Sequence, residues 1–403
     1  VIPLCGIHHS FMDHCRIVGL ISGTSVDAID VAVADMRIDE DGVIELAPGG
    51  HTELGYPPHL RDELLAMASR GTSAEQLCKL DTRIGQSFAH AAATAIREFG
   101  PADVIASLGQ TVYHWVEDGT CLGTLQLGQP AWIAELTGLP VIADLRVRDV
   151  AAGGHGAPLA GLFDRLWLRE EIALNIGGIA NITLSSADGS DTAFDTGPGN
   201  ALLDAAAEML TGKPFDEDGS LALAGTVRED LLTHLLADPY YLLDPPKSTG
   251  KEHFNIGYLN AELAKVPEVG AADLMATLVE LTAVTIAQAC AGPGEPPEQS
   301  RRVVASGGGV RNPALMAALA RRLDIVTSDE LGIPSDAKEA YLTALLGFLT
   351  WHGIPADPRT GAGPRLLGSI TPGRDPLRMP APAADTVSKL RVVDTVGGSV
   401  ART

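Results

Sequence analysis

Residues 16–36 read RIVGLISGTSVDAIDVAVADM. Arg16 to Ile21 is a short apolar run, Gly23-Thr24-Ser25-Val26-Asp27 is small and polar, and Ile29 to Met36 alternates apolar with small or polar residues. That sequence of patterns predicts two strands joined by a polar turn, a β-hairpin with one well-buried face. The same design returns further on, where Ile172 to Ile176, Gly177-Gly178 and Ile179 to Leu184 again give strand, small turn and strand. The chain therefore reads as two weakly similar halves.

Around these hairpins a strand–turn–helix rhythm continues. Spacings of three to four apolar residues predict helices over 58–70 and 73–98, the second carrying Leu77, Leu80, Ile84, Phe88 and Ala92. Val104 to Ser107 reads as a short strand entering a Gly109-Gln110-Thr111 turn. Helices follow at 199–211, 226–236 and 271–291; Val303 to Ser306 then leads through Gly307-Gly308-Gly309 into a helix ending near 323, and a last helix runs from Ser335 to about Gly353. The glycine-rich segment Gly153 to Pro158 suggests the domain change. The expected organisation is an N-terminal lobe over 16–145 with a return at about 356–375, and a C-terminal lobe over 146–355. Residues 1–15 are expected to form a poorly ordered extension and 376–403 an irregular tail.

Length and composition fit that division. A chain of 403 residues exceeds one ordinary core, and 45% apolar with 20% charged residues is the balance of a globular protein. A net charge of −22 disfavours nucleic acid and anionic membrane as partners, because both are bound through clustered Lys and Arg. Five cysteines without CxxC spacing suggest neither a zinc site nor a disulfide framework, which fits the reduced cytoplasm. No run of about 18 apolar residues is evident from the sequence, so no membrane span is expected. A homodimer is left open.

Three separated turns place Gly with Ser, Thr or Asp at the end of a strand: 23–30, 195–200 and 306–312. Glycine lets backbone N–H groups approach phosphate oxygens, and hydroxyls add donors. No Walker A motif and no protein-kinase GxGxxG with its downstream lysine is present. What remains is the α/β, two-lobed actin-like ATPase architecture, in which duplicated, ribonuclease H-like mixed sheets with flanking helices enclose a cleft for ATP.

Residues 19–30, GLISGTSVDAID, resemble the pattern G-L-M-S-G-T-S-x-D-G-x-D of the anhydro-N-acetylmuramic acid kinases. So do the blocks at 109–114, 143–149 with 153–159, 175–181, 194–200, 246–250, 306–312 and 333–340, in family order. Three positions depart from it: Leu108 stands where the family has His, Ala28 where it has Gly, and His155 where it has Gln. The resemblance implies an enzyme that opens the 1,6-anhydro bond of anhydro-N-acetylmuramic acid with water and transfers the ATP γ-phosphoryl to O6. It implies Asp195, the Asp of the F-D-T-G-P-G-N block, as the base. The residues suggest the rest of the site. Gly23, Thr24, Ser25, Val26, Asp27, Ala28, Ile29 and Asp30 are expected to form the phosphate loop, with Asp27 or Asp30 on Mg²⁺. Gly197 and Gly199 join the nucleotide side, and Gly307, Gly308 and Gly309 approach the adenosine. Arg146 and Arg148 would meet the lactyl carboxylate, and Glu339 a sugar hydroxyl. Rival readings on the same fold are an exopolyphosphatase-like hydrolase, in which water accepts the phosphate, an assembly or chaperone ATPase, and a kinase of ordinary hexoses.

Overall fold

The computed structural model describes residues 14–23, 26–67, 72–168, 170–185, 191–291, 301–382 and 384–397. Thr24 and Ser25 of the expected phosphate loop, and residues 1–13 of the expected extension, lie outside the described residues. Two compact units divide the chain: Val1–Trp167 with Ala337–Thr403, and Leu168–Asp336.

The first unit contains β1 (His14–Ser22), β2 (Ala28–Ile38), β3 (Val43–Gly55), α1 (Pro58–Met67), α2 (Ala74–Phe99), β4 (Val104–Glu117), β5 (Thr120–Leu127), α3 (Pro130–Thr137), β6 (Val141–Ala143), α4 (Val147–Val150) and α5 (Ala160–Trp167). The second contains β7 (Ile172–Ile176), β8 (Ile179–Ser185), β9 (Asp191–Pro198), α6 (Ala201–Thr211), α7 (Ser220–Ala224), α8 (Glu229–Leu236), α9 (Ile256–Leu263), α10 (Ala271–Ala291), β10 (Val303–Ser306), α11 (Pro313–Ala320) and β11 (Ile325–Thr327). Then α12 (Lys338–Trp351), β12 (Ser369–Thr371) and β13 (Lys389–Val392) return to the first.

Both predicted hairpins form, and each opens a sheet of the same order. The path β3-β2-β1-β4-β6 in one unit is matched by β9-β8-β7-β10-β11 in the other. In each, three strands run as an antiparallel meander and the first of them then pairs in parallel with later strands. This is the ribonuclease H-like arrangement, present twice, the fold class expected from the duplicated hairpins.

Several boundaries differ from the sequence reading. The first unit extends to Trp167 and resumes at Ala337, not at 145 and 356, because α5 and α12 belong to its sheet. A Cβ on Gly19 would lie 2.1 Å from the Ala340 carbonyl and one on Gly347 would lie 2.4 Å from Ala106 Cβ, so α12 rests directly on β1 and β4. Lys338 Nζ at the start of α12 also meets Asp164 Oδ1 of α5 at 3.0 Å, both residues buried. The strand at Val104 runs on to Glu117: Gly109, at φ +69°, shifts the register and the strand turns into a hairpin with β5. His14 and Cys15 are part of β1, and the tail expected to be irregular supplies β13, parallel to β3.

Each sheet has its own core. In the first unit Val18, Leu20, Ile29, Val31 and Ile105 pack with Ile84 and Phe88 of α2, a helix that starts with a reciprocal Ser73–Gln76 capping box. In the second, Leu174, Ile176 and Ile182 pack with Leu274, Leu278 and Leu281 of α10. By length and composition α10 could cross a membrane, contrary to the expectation that no segment could; its buried leucines make it the core helix of this unit.

Candidate active site

In the second unit β9 ends at Asp195-Thr196-Gly197-Pro198, and Asp195 is gripped by the loop 246–250. The Asp195 N–H donates to the Lys247 carbonyl at 3.0 Å. Ser248 Oγ and the Thr249 N–H both donate to Asp195 Oδ2 at 3.0 Å. Tyr240 Oη donates to the Asp195 carbonyl at 2.7 Å. Lys247 in turn donates to the carbonyls of Tyr240 and Tyr241 and lies 4.8 Å from the centre of the Tyr240 ring. All of these bonds to the carboxylate fall on Oδ2, so the grip orients the group while Oδ1 accepts none from a described residue.

Beside it, the Gly177-Gly178 turn between β7 and β8 is locked to the start of α6. The Gly177 carbonyl accepts from the Asn200 N–H at 2.8 Å, and the Gly178 carbonyl accepts from Gly199 and Ala201 at 2.9 Å each. A trans peptide points its N–H opposite to its C=O. The Gly178 N–H is therefore directed away from α6, as an anion-accepting turn requires. Thr196 Oγ1 donates to the Ala180 carbonyl and Thr282 Oγ1 of α10 to the carbonyls of Pro198 and Gly199, which fixes the other side of the turn.

The expected nucleotide glycines fall into two kinds. Gly197, Gly199, Gly307 and Gly309 are required by close packing: an added Cβ would lie 2.9 Å from Tyr241, 2.4 Å from the Gly177 carbonyl, 2.6 Å from Asn175 Oδ1 and 2.2 Å from Ile176 respectively. Gly308 faces open space, so of the three at 307–309 it is the one whose surface can meet a ligand.

The opening turn of the first unit is built from side chains. Gln110, fully buried, donates from Nε2 to the Gly23 carbonyl at 3.0 Å and accepts from Tyr56 Oη at 3.1 Å. Ser22 Oγ donates to the Ala28 carbonyl, and Val26 takes φ +56°. Arg61 of α1 donates to the Val26 carbonyl and pairs with Asp27 at 2.8 Å. Ala28, Ile29 and Asp30 are the first residues of β2, with Ile29 buried in the core.

Of the expected sugar contacts, Arg146 and Glu339 are brought together and Arg148 is simply exposed. Arg146 Nη1 donates to the Gly156 carbonyl at 2.7 Å, while its buried Nε has no partner among the described residues. Burial lowers the Arg146 pKa and the Glu339 charge pushes it back up. The His114 pKa is also lowered, by burial and then by Arg146. Lys338 pairs with Asp164 and not with its neighbour Glu339. Leu108 is buried and lines a cavity of about 720 Å³ together with Ser107, Gln126, Asp144 and Val147. No cluster of three His, Cys, Asp or Glu side chains suited to a metal occurs among the described residues.

The arrangement is that of two glycine turns on duplicated sheets and one oriented carboxylate. The model of the anhydro-N-acetylmuramic acid kinase family matches residues 15–373. The chain belongs to that family. Anhydro-N-acetylmuramic acid kinases similar to it include one from Streptomyces avermitilis, 56% identical over 385 residues covering 92% of this chain and 97% of that one. Another, from Rhodococcus erythropolis, is 50% identical over 380 residues covering 89% and 94%. Among solved structures, xylulose kinase from Rhodospirillum rubrum aligns with TM-score 0.41 and 13% identity over 82% of this chain and 89% of that one, a likeness too loose to add to the strand-order argument.

Sequence reasoning placed the family blocks but gave no role to several residues that hold the site. The Ser248 hydroxyl and Thr249 N–H were visible only as part of a matching block, and nothing local in the sequence pairs them with Asp195, some fifty positions away. Gln110 and Tyr56 as the brace of the opening turn, and Asp204 and Lys251 near Gly178, carried no signal, since each acts through tertiary contact.

Proposed function

We propose that this protein is the cytoplasmic, ATP-dependent kinase of anhydro-N-acetylmuramic acid, giving N-acetylmuramic acid 6-phosphate and ADP in the recycling of cell-wall sugars. The observation that carries the reading is the grip on Asp195. A general base must be held in one orientation and keep an oxygen free for the proton it takes. Ser248 and Thr249 do the first through Oδ2, and the second falls to Oδ1.

In this reading Asp195 Oδ1 takes a proton from a water as that water attacks C1. The C1–O6 bond breaks, O6 attacks the γ-phosphorus of ATP, and the bond from that phosphorus to the bridging oxygen breaks to release ADP. Phosphoryl transfer of this kind depends chiefly on positioning and on donors aimed at the phosphate oxygens. Gly23 with Thr24 and Ser25, the Gly178 N–H and the surface of Gly308 are the groups assigned to the nucleotide. Arg146, with Glu339 beside it, is assigned to the sugar and its lactyl carboxylate, for which a guanidinium in a half-buried setting is a strong partner; Arg148 is the exposed alternative.

Mg²⁺, arriving with ATP, screens the phosphate charge. It keeps most of its water and needs only one or two carboxylates. Asp27 and Asp30 would hold it through water. Asp27 must then leave Arg61, an exposed pair worth about 0–1 kcal/mol.

A coupled assay of ADP release tests the assignment. With anhydro-N-acetylmuramic acid the protein should turn over, and with glucose, N-acetylglucosamine and intact N-acetylmuramic acid it should not. Activity confined to the intact hexoses would overturn the reading.

A further inference from the structure

The loop that grips Asp195 continues directly into Lys251, so the position of this lysine is fixed by the same bonds that orient the carboxylate. Its stem crosses the Gly177-Gly178 turn. A Cβ on Gly178 would lie 2.6 Å from Lys251 Cε and 3.4 Å from Nζ, so the lysine occupies the space that any side chain at 178 would need. Although the stem is so closely seated, the ammonium makes no hydrogen bond and no ion pair within reach of a described residue, and Lys251 is exposed. An ammonium carries three donors and is strongly hydrated. Here those donors stand on the turn whose carbonyls are all directed into α6.

A carboxylate whose charge couples to that of Lys251 is Asp204. This residue lies in the first turn of α6, its N–H donating to the Asn200 carbonyl at 2.7 Å, on the helix to which the Gly177-Gly178 turn is locked. Burial raises its pKa and the Lys251 charge lowers it. An acid early in a helix is favourable to the helix dipole when it is solvated. Asp204 is instead half-buried and receives no side-chain hydrogen bond from a described residue, an arrangement that dipole compensation alone does not require.

We propose that Lys251 is the cation that grips the transferring phosphoryl group and that Asp204 is its positioning residue. The inference rests on the kinase reading above. As the bond from the γ-phosphorus to the bridging oxygen lengthens and its electron pair passes to ADP, negative charge accumulates on the phosphate oxygens. The Lys251 N–H groups donate to those oxygens, while the Asp204 carboxylate attracts the ammonium toward the Gly178 side without pairing with it. No bond to lysine is made or broken. Donors fixed in advance where charge develops are worth about two to three orders of magnitude in rate.

Three variants, Lys251→Met, Lys251→Arg and Asp204→Asn, test this with two readouts. One is the affinity for ADP and for the β,γ-imido analogue of ATP by calorimetry; the other is kcat and KM in the coupled assay. Lys251→Met should weaken the analogue at least about tenfold relative to ADP and lower kcat about a hundredfold. Lys251→Arg should recover most of both, and Asp204→Asn should lower kcat about tenfold with ADP affinity unchanged. A Lys251→Met protein with kcat and the analogue-to-ADP ratio within twofold of wild type overturns the proposal. So does an equal loss on both nucleotides, which would place Lys251 on groups they share. A wild-type protein that binds neither nucleotide would instead remove the kinase reading itself, before any variant is compared.

Discussion

The two opening turns occupy the same place in two sheets of the same order, yet they are held by different means. The turn after β1 is braced by side chains: Gln110 and Tyr56 from beneath, Arg61 from α1. The turn after β7 is braced chiefly by backbone, through three N–H groups at the start of α6, with the Thr196 and Thr282 hydroxyls on its far side. It is overlain by Lys251 and flanked by Asp195 and Asp204, whereas Asp27 of the first turn is paired with an exposed arginine. Topology therefore fixes where a turn can meet a phosphate, and the local bracing decides what chemistry is available there. The backbone-locked turn leaves its neighbouring side chains free for function, and the side-chain-locked turn uses them for support.

Substitutions can break this contrast. The largest effect is expected from Gly199→Ala, whose methyl would be driven to 2.4 Å from the Gly177 carbonyl. Overpacking against backbone should cost at least about 2 kcal/mol and separate the turn from α6. Denaturant melts should register the first effect, and near-complete loss of turnover the second. Gln110→Ala comes next. It takes from the half-buried Gly23 carbonyl one of its two donors, the other being the Val26 N–H, and should cost about 1–2 kcal/mol in the same melts, while nucleotide affinity falls only through the first turn.

Asp204→Asn should act in the opposite direction on stability. Burial raises the Asp204 pKa from 3.8 to about 6, with Lys251 pulling it back. The folded protein then keeps a proton that the unfolded chain has released between those values, so the wild type loses stability as pH rises from about 4 to 6. Asn removes that loss. The variant should melt higher than wild type at pH 7, by about 1 kcal/mol after discount for partial exposure, and the gain should vanish near pH 4. A constant difference across pH would assign the effect to packing. Tyr56→Phe removes one hydrogen bond to Gln110 and should cost about 1 kcal/mol. Arg61→Ala opens an exposed pair and should change stability by less than about 1 kcal/mol.

Much of the fold was legible because its signal is local. Alternation in Ile29 to Met36 and the repeat at Ile172 to Leu184 sufficed to place both hairpins, and Asp195 could be singled out because its block is contiguous. The division between the units was not legible. It depends on Gly19 and Gly347 admitting α12 against the first sheet, and on Asp164 meeting Lys338, contacts between residues far apart in the chain. Glycine spacing likewise could not separate Gly308, which faces open space, from Gly307 and Gly309, which are required by packing. The two look alike in sequence, and only the neighbours of the missing Cβ distinguish them.

In the function proposed above, the gripped carboxylate is the base of a ring-opening phosphoryl transfer. The most direct measurement is the steady-state turnover of Asp195→Asn with ATP and anhydro-N-acetylmuramic acid, set beside the affinity of the same variant for the sugar. The amide can keep the bond from Ser248 but cannot take a proton from water, so kcat should fall at least about a thousandfold while sugar affinity stays within about threefold. Turnover near that of the wild type would contradict the account.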